Sequence, residues 1–370
     1  MSILPIYFIG QCLSLDEHPT FRETIIVQFS DPDYDWNSFI WTCSNHLVLP
    51  VIYLKFRKYD LLFYVPEVLA QHLEEIYTLN RTRNEQIITQ MKEINATLNS
   101  AGIFPIYLKG TGNLIDGIYG DIGERIIGDI DFLVPEKDYL AAAELFKNKG
   151  YIICQPTDEP VEKMKHYPRL WKEDVVADIE IHRLPVTIRH APHFSAELVQ
   201  KSKKAVAGYP GCYVLADDHK AIQSFIHSQL TNAGHFLGIV SLRDVYDLYC
   251  FSKRVDLQQS SISAPYRQKY IAYLKLSEKL LDLPDSFYSG ETIRSRLYGF
   301  KHDLNSTAGI VYKSYRLTWV LSIAIGVVIH RIAQSFSNST LRRKNFKSLF
   351  TSEWYGQNLK GCMKMYRGLK

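Results

Sequence analysis

The stretch RIIGDIDFLVP, residues 125–135, decides the fold because it has the apolar pattern of a buried strand and yet carries two carboxylates. Asp129 and Asp131 stand on either side of one isoleucine, and three apolar residues follow before Pro135 ends the run. Side chains alternate between the two faces of a strand, so we expect both aspartates on the same face. Buried carboxylates are costly unless a positive charge lies between them. The stretch therefore predicts a strand with an acidic edge that requires a cation.

A second acidic strand is predicted at VVADIEIHRL, residues 175–184. Asp178, Glu180 and His182 share one face of it, and alternation alone leaves open which carboxylate lies level with the first strand. If the two strands are neighbours, three or four carboxylates converge, and divalent cations are needed to neutralise them. Oxygen ligands favour Mg²⁺ or Mn²⁺ over zinc. We therefore expect two metal ions, with a substrate triphosphate completing their coordination.

The chain before these strands has the periodicity of helices. Residues 1–101 are predicted to be a mainly helical N-terminal region, with a helical segment at 36–58 and one or two long helices over 66–101. The exception is TIIVQF, residues 24–29, whose β-branched residues predict a strand.

Residues 102–200 alternate short apolar runs with a helix-like stretch, which is typical of a mixed sheet with helices. Strands are predicted at IFPIYL, GDIDFLV, YIICQ and VVADIEIHRL, and a helix at EKDYLAAAELFKNKG. Residues 201–370 return to helical periodicity and end in a basic tail. The expected fold class is α+β, with a small mixed sheet as the core between an N-terminal and a C-terminal helical region.

The composition is that of an ordinary globular protein and excludes a disordered or disulfide-stabilised class. Hydrophobic residues make up 46% and charged residues 22% of the 370 residues. The six cysteines are scattered without a CxxC pair, which argues against structural zinc and indicates a reducing compartment. We therefore expect a cytoplasmic protein.

Two apolar runs bear on membrane association. The N-terminal run has no Lys or Arg before Arg22 and so lacks the positive region of a secretory signal. The run LTWVLSIAIGVVI, residues 317–329, is shorter than the ~20 residues that cross a bilayer. We expect no transmembrane segment and a buried helix at 317–329, with a re-entrant helix or a helix that rests on a membrane as the alternative.

The net charge of +4 is unevenly distributed. Residues 340–370 hold eight basic residues against one acidic residue, so the rest of the chain is slightly acidic. The simplest interpretation of this basic tail is a solvated helix end. The alternative is contact with a phosphate-rich partner.

The order of the motifs resembles that of a known family. LKGTGNL at 108–114, then Arg125 with GDIDFLV, then DYLAAAELFKNKGY and IEIH together resemble the uncharacterised nucleotidyltransferase family of the polymerase-β-like nucleotidyltransferase superfamily. The resemblance covers residues 36–251 and not the tail. It implies metal-dependent transfer of an NMP from an NTP and release of pyrophosphate. ATP binding is expected, and which NTP is the substrate stays open. The acceptor stays open between a small molecule, a protein and a nucleic acid.

By this resemblance the metal-binding and catalytic residues are Asp129, Asp131 and Glu180. Two Mg²⁺ or Mn²⁺ ions at these carboxylates are expected to stabilise the entering and departing oxygens. Positioning and charge neutralisation then supply most of the catalysis. Replacing either aspartate with asparagine is expected to abolish transfer and to leave the stability of the protein unchanged or raised, because like charges at close range repel.

The resemblance also implies a nucleotide-binding set. KGTG at residues 109–112 resembles the Gly-Ser loop of the superfamily, with Thr111 where serine is usual. Lys109, Gly110 and Thr111 are therefore expected to contact the triphosphate. Arg125 and Lys109 are the cations expected at the β- and γ-phosphates.

Other polar residues of the region have simpler interpretations. His166 is interpreted as a surface histidine, and His182 as either a packed or a catalytic one. Arg243 and Asp247 fall one helical turn apart, which predicts an i,i+4 salt bridge. The main alternative function is a catalytically degenerate family member that binds a nucleotide or a partner without turnover.

Overall fold

The computed structural model describes residues 4–306 apart from 156 and 158. The chain divides into two compact units, the first ending at Gly299 and the second beginning at Phe300. Helices precede and follow a seven-stranded mixed sheet in the first unit, which confirms the predicted α+β class.

The described part of the chain contains thirteen α-helices and seven strands. The helices are α1 Pro5–Leu13, α2 Phe21–Phe29, α3 Trp36–Asn45, α4 Leu49–Lys58, α5 Glu67–Ser100, α6 Lys109–Ile115, α7 Tyr139–Asn148, α8 Ala196–Ser202, α9 Asp217–Phe225, α10 Gly234–Leu237, α11 Leu242–Ser252, α12 Ala264–Leu281 and α13 Ile293–Ser306. The strands are β1 Ile106–Tyr107, β2 Ile130–Leu133, β3 Ile152–Ile153, β4 Leu170–Trp171, β5 Ile179–His182, β6 Lys204–Ala205 and β7 Tyr213–Val214. Helix α9 continues directly into a π-helical segment over Ile226–Thr231.

The sheet places the two predicted acidic strands side by side. Its strand order is β3-β4-β5-β2-β1-β7-β6, and β2 and β5 run parallel to each other. Asp131 of β2 lies opposite Glu180 of β5, and Leu133 lies opposite His182. Both strands are buried along their whole length, as expected for central strands of a sheet covered by helices.

The predicted strand at TIIVQF is wrong, because this segment lies in helix α2. Only Ile25 and Phe29 of that helix are buried, four residues apart and therefore on one helical face. Val27, which a half-buried strand would place on the same face as Ile25, is 69% exposed. Burial of one helical face thus outweighs the β propensity of the branched residues.

Helix α5 forms hydrogen bonds with the loops that lead into the two acidic strands. Arg83 donates hydrogen bonds to the carbonyl oxygens of Ile127, of Gly128 at 3.1 Å and of Val176 at 3.2 Å. The first two carbonyls precede β2 and the third precedes β5. A single guanidinium, with its rigid fork of donors, therefore sets the spacing of the two strand entrances.

Three buried side-chain amides of α5 also bind these loops. The side chains of Asn80 and Asn84 both donate to the carbonyl oxygen of Arg125, at 3.2 and 2.8 Å. Gln90 donates to the carbonyl of Ala177 at 2.7 Å and accepts from its amide at 3.0 Å. These bonds satisfy loop groups that would otherwise be buried without partners, so the polar residues of α5 position the site.

Asp16, shortly after α1, accepts three hydrogen bonds that are expected to stabilise the fold. Asp16 accepts from Lys55 at 2.5 Å, from Lys58 at 2.8 Å and from the hydroxyl of Tyr59 at 2.8 Å. Burial alone would raise the pKa of Asp16, but the two lysines hold it well below its usual range. Ionised Asp16 therefore stabilises the fold above the pKa of the unfolded chain, and this contribution is lost as pH falls.

We expect Asp16→Asn to destabilise the protein by about 1–2 kcal/mol at neutral pH, with the deficit shrinking below about pH 4. Urea unfolding of both proteins at neutral and acidic pH measures the difference. Glu197→Gln is the control, since Glu197 forms an exposed pair with Lys201 and its loss should change little. A deficit that is the same at both pH values would contradict the assignment.

Within residues 4–306 the structure has no helix that combines the length and the apolar character of a membrane span. The five cysteines in this part of the chain form no disulfide. The apolar run at 317–329 and the basic tail at 340–370 lie outside the described residues. The interpretations given to both stay predictions.

Candidate active site

A cavity of about 350 Å³ lies where the acidic strands meet the C-terminal helices. Asp129, Asp131 and Glu180 line one side of it. The other side includes His227 from the π-helical segment and Asp244 from α11. A cleft of this size with several convergent polar groups has the character of a ligand site.

The three carboxylates differ in burial. Asp131 and Glu180, opposite each other on neighbouring strands, are 2% and 7% exposed. Asp129 lies immediately before β2, and its side chain is 25% exposed. Oxygens of Asp131 and Glu180 and a ring nitrogen of His182 all lie within 4.8 Å of one another. The predicted acidic edge thus exists, with Asp129 at its rim.

Lysine and histidine contact the deepest carboxylate. Lys109 Nζ lies 2.5 Å from Asp131 Oδ1 and 3.7 Å from Glu180 Oε2. His182 Nε2 lies 2.8 Å from the same Asp131 oxygen and 3.5 Å from Glu180 Oε2. His182 is fully buried and contacts the acidic edge, so it is a packed histidine, and a catalytic role for it stays a prediction.

An arginine joins the other two carboxylates. Arg169 Nη2 donates to Asp129 Oδ2 at 2.9 Å and to Glu180 Oε1 at 2.8 Å. Its Nη1 lies 3.8 Å from Asp178. Because Arg169 directly precedes β4, the strand next to β5, the sheet itself brings this cation to the acidic edge.

These contacts shift the pKa values of the two aspartates in opposite directions. Burial and then the like charge of Asp131 raise the pKa of Asp129 to about 6. Burial also acts to raise the pKa of Asp131, but Lys109 and His182 hold it well below its usual range. Despite burial, the His182 ring and Lys109 lower the pKa of Glu180 to about 2. The deep pair therefore stays ionised, while Asp129 exchanges a proton near neutral pH.

The family follows from the chain as a whole. The model of a family described as "Uncharacterised nucleotidyltransferase" matches residues 32–280, which is more than half of the chain. The chain belongs to this nucleotidyltransferase family. Among curated proteins none matches it. The resemblance found in the order of the motifs is thereby confirmed.

The donor set of this nucleotidyltransferase fits a hard divalent cation. Asp129, Asp131 and Glu180 present oxygens to one cavity, and two of them belong to the cluster whose ligand atoms lie within 4.8 Å. Carboxylate oxygens are the ligands that Mg²⁺ and Mn²⁺ prefer. Asp178, the rival third ligand, is absent from the residues that line the cavity, and its side chain is 39% exposed.

The KGTG segment forms the first turn of α6 rather than an open loop. Lys109 has a φ of +50°, a left-handed conformation that is strained for a lysine. Gly110 lines the cavity. A Cβ on Gly112 would lie 2.5 Å from the carbonyl oxygen of Tyr107, so that glycine serves close packing of α6 on β1.

Thr111, the remaining residue of the KGTG segment, faces the start of strand β2. Thr111 is buried, and its hydroxyl donates to the backbone carbonyl of Asp129 at 3.1 Å. This bond fixes the chain at the start of β2. Contact of Thr111 with a nucleotide stays a prediction.

Arg125 lies at the cavity but is bound to another side chain. Its Nε and Nη2 each donate to the Asp247 carboxylate at 3.0 Å, and Nη1 donates to the carbonyl of Ile126 at 2.5 Å. Although burial acts against it, Asp247 raises the pKa of Arg125. Tyr119 donates a further hydrogen bond to Asp247 at 2.8 Å. The guanidinium is thus held in a buried ion pair.

This pair overturns one prediction. The i,i+4 salt bridge between Arg243 and Asp247 is wrong, since Asp247 pairs with Arg125 and Arg243 lies 3.4 Å from Asp244. No ion pair joins Arg243 to Asp247 in the part of the chain that the structure describes. Partners separated by 122 positions in sequence carry no local signal of their pairing.

Several other residues that line the cavity were not predicted from sequence to belong to the site, among them Arg169, Lys165 and His227. Arg169 and Lys165 both belong to the stretch KMKHYPRLW, in which only His166 was considered. His166 is partly buried rather than on the surface, and it lines the cavity too. The sequence does contain one signal for Arg169 and Lys165, because several basic residues stand close together shortly before the second acidic strand. His227 enters through the π-helical segment, for which sequence offers no pattern.

Proposed function

We propose that the protein is a metal-dependent nucleotidyltransferase that transfers an NMP from an NTP to an acceptor and releases pyrophosphate. The observation that supports this most directly is the pairing of Asp131 with Glu180 across two parallel strands, with Asp129 at the start of the first. Family membership supports the transferase class. The buried, oxygen-rich donor set supports the metal.

The residues that would hold Mg²⁺ or Mn²⁺ are Asp129, Asp131 and Glu180. When bound, such ions supply charge stabilisation to the attacking and departing oxygens of an in-line displacement. Thr111 and Arg83 keep the strand entrances in place, so the carboxylates are positioned before substrate arrives.

The other residues of the cavity act on the substrate. Lys109 is the cation for the β- and γ-phosphates once it turns from Asp131, and Gly110 lets the triphosphate approach the backbone. An acceptor hydroxyl oxygen then forms a bond to the α-phosphorus, while the bond between the α-phosphorus and the oxygen that bridges to the β-phosphate breaks. Pyrophosphate leaves with that oxygen, and a carboxylate of the cavity accepts the proton of the hydroxyl. Arg125 acts by holding Asp247 in the cavity wall, and its direct contact with phosphate stays a prediction.

The proposal is tested by thermal unfolding with Mg²⁺, with NTP, with both and with EDTA. A ligand at 100 times its dissociation constant adds about 2.7 kcal/mol, which raises the melting temperature of a protein of this size by a few degrees. NTP with Mg²⁺ should stabilise more than either alone. Incubation of each labelled NTP with cell extract then shows which molecule accepts the label. Equal stabilisation by NTP with Mg²⁺ and with EDTA would contradict metal dependence.

Glu180 and Asp178 are distinguished by mutation. We expect Glu180→Gln to lower transfer at least about a hundredfold, because it removes a carboxylate opposite Asp131. Asp178→Asn should lower it less than about fivefold, since Asp178 does not line the cavity. Initial rates with labelled NTP measure both. The reverse ranking would move the third ligand two residues upstream.

A second candidate function, nucleotide or partner binding without turnover, is favoured by a different observation. Lys109 and Arg169 already form ion pairs with all three carboxylates within the protein. A cluster balanced in this way is stable as a purely structural ion network. NTP binding that persists in EDTA, together with no label transfer to any molecule, would favour this function.

A further inference from the structure

A second cavity of about 350 Å³ adjoins the first. The two share a wall, because Lys165 and His166 line both. His166 Nε2 lies 3.9 Å from Glu180 Oε2, so the shared wall ends at the acidic edge. The second cavity therefore lies directly beside the histidine that approaches Glu180.

The shared wall is firmly attached to strand β5. His166 forms a β-bridge with His182, and Arg183 donates from Nε to the carbonyl of Met164 at 2.6 Å. The backbone amide of Arg183 donates to the carbonyl of Lys165 at 3.0 Å. A wall held in this way keeps a fixed distance to Glu180, which a site for a reacting molecule requires.

The charges in the second cavity are mainly positive. Lys165 and Arg189 line it together with Glu159, which is exposed. Within the described residues neither Lys165 nor Arg189 has an ion-pair partner, in contrast to Lys109, Arg125 and Arg169 of the first cavity. Burial and then the charge of Lys109 lower the pKa of Lys165, although Glu180, Asp131 and Asp129 act to raise it.

Resting on the proposed function, we propose that the second cavity binds the acceptor and that the acceptor is a small hydroxyl compound with an anionic group, a phosphate or a carboxylate. Lys165 and Arg189 hold the anionic group. Ile188 and Met164 give the same cavity an apolar side that suits a carbon skeleton. The hydroxyl then points past His166 towards Glu180.

Arg189 provides the test, because it is exposed and lines the second cavity but not the first. The probes are inorganic phosphate and acetate, titrated calorimetrically into protein saturated with Mg²⁺ and an NTP analogue that cannot be cleaved between the α- and β-phosphates. Arg189→Glu should weaken the binding of at least one probe about tenfold or more. Lys149→Glu is the matched charge reversal, at an exposed position lining neither cavity, and should leave binding unchanged.

The two probes and the analogue separate the possible failures. Binding that is lost in Arg189→Glu and retained in Arg189→Lys supports the proposal, and the stronger probe identifies the anionic group. Equal binding of both probes to the wild type and to Arg189→Glu, or binding of neither to the wild type, overturns it. Analogue affinity is measured in the same proteins. If the analogue does not bind, the proposed function is contradicted, whereas the anion-binding result at Arg189 is still valid.

Discussion

Replacing Asp131 with asparagine is expected to lower NMP transfer at least about a thousandfold, a loss of ~4 kcal/mol of transition-state stabilisation. Asp131 is the most buried carboxylate of the cavity and lies opposite Glu180, so its loss removes a proposed metal ligand that no neighbour replaces. Asp129→Asn should lower transfer strongly as well. Rates with labelled NTP and Mg²⁺ measure both.

The two variants should differ in stability, in contrast to the expectation from sequence. The folded protein favours ionised Asp131, since Lys109 and His182 lower its pKa, so asparagine there should cost about 3 kcal/mol. The raised pKa of Asp129 means that the fold loses stability as pH rises from the pKa of the unfolded chain to about 6, and this loss persists at higher pH. Asp129→Asn should therefore be neutral or stabilising at neutral pH. Urea unfolding in EDTA measures this. Full activity of either variant would overturn the metal assignment, and equal stability would overturn the assigned charge network.

The acidic edge was predictable because it depends on local rules. Alternation along a strand places Asp129 and Asp131 together and Asp178 with Glu180, and buried apolar neighbours identify both segments as strands. The structure adds the register, which sets Glu180 rather than Asp178 opposite Asp131. Register between separate strands depends on the packing of the whole sheet, so no local pattern contains it.

The cations of the site were less accessible to prediction. Lys109 and Arg169 reach the carboxylates from positions that are neighbours only in the folded sheet. The helix at TIIVQF and the polar face of α5 show the same limit, because each is decided by what the rest of the chain packs against it. Composition and periodicity predict whether a segment is buried. Which charged residues pair depends instead on which segments become neighbours in the folded protein.

The pair of Arg125 with Asp247 allows the structural and the phosphate-binding roles of Arg125 to be separated. Arg125→Met should destabilise the protein by about 3–5 kcal/mol, because it leaves the Asp247 carboxylate buried without its partner. Asp247→Asn should be costly for the same reason, since it leaves the guanidinium unpaired. The double variant Arg125→Met with Asp247→Asn removes both charges and keeps an amide oxygen that can accept from Tyr119. Its stability should therefore exceed that of Arg125→Met.

The double variant then decides the role of the arginine. If Arg125 acts through the cavity wall, the double variant should bind NTP with Mg²⁺ within about threefold of the wild type, because the wall is restored without the charge. If Arg125 contacts the phosphates, affinity should stay at least about tenfold weaker despite the recovered stability, since a charged hydrogen bond is lost. Urea unfolding and NTP titration on the same four proteins give both quantities. A double variant that is no more stable than Arg125→Met would show that the ion pair is not the source of the single-variant defect.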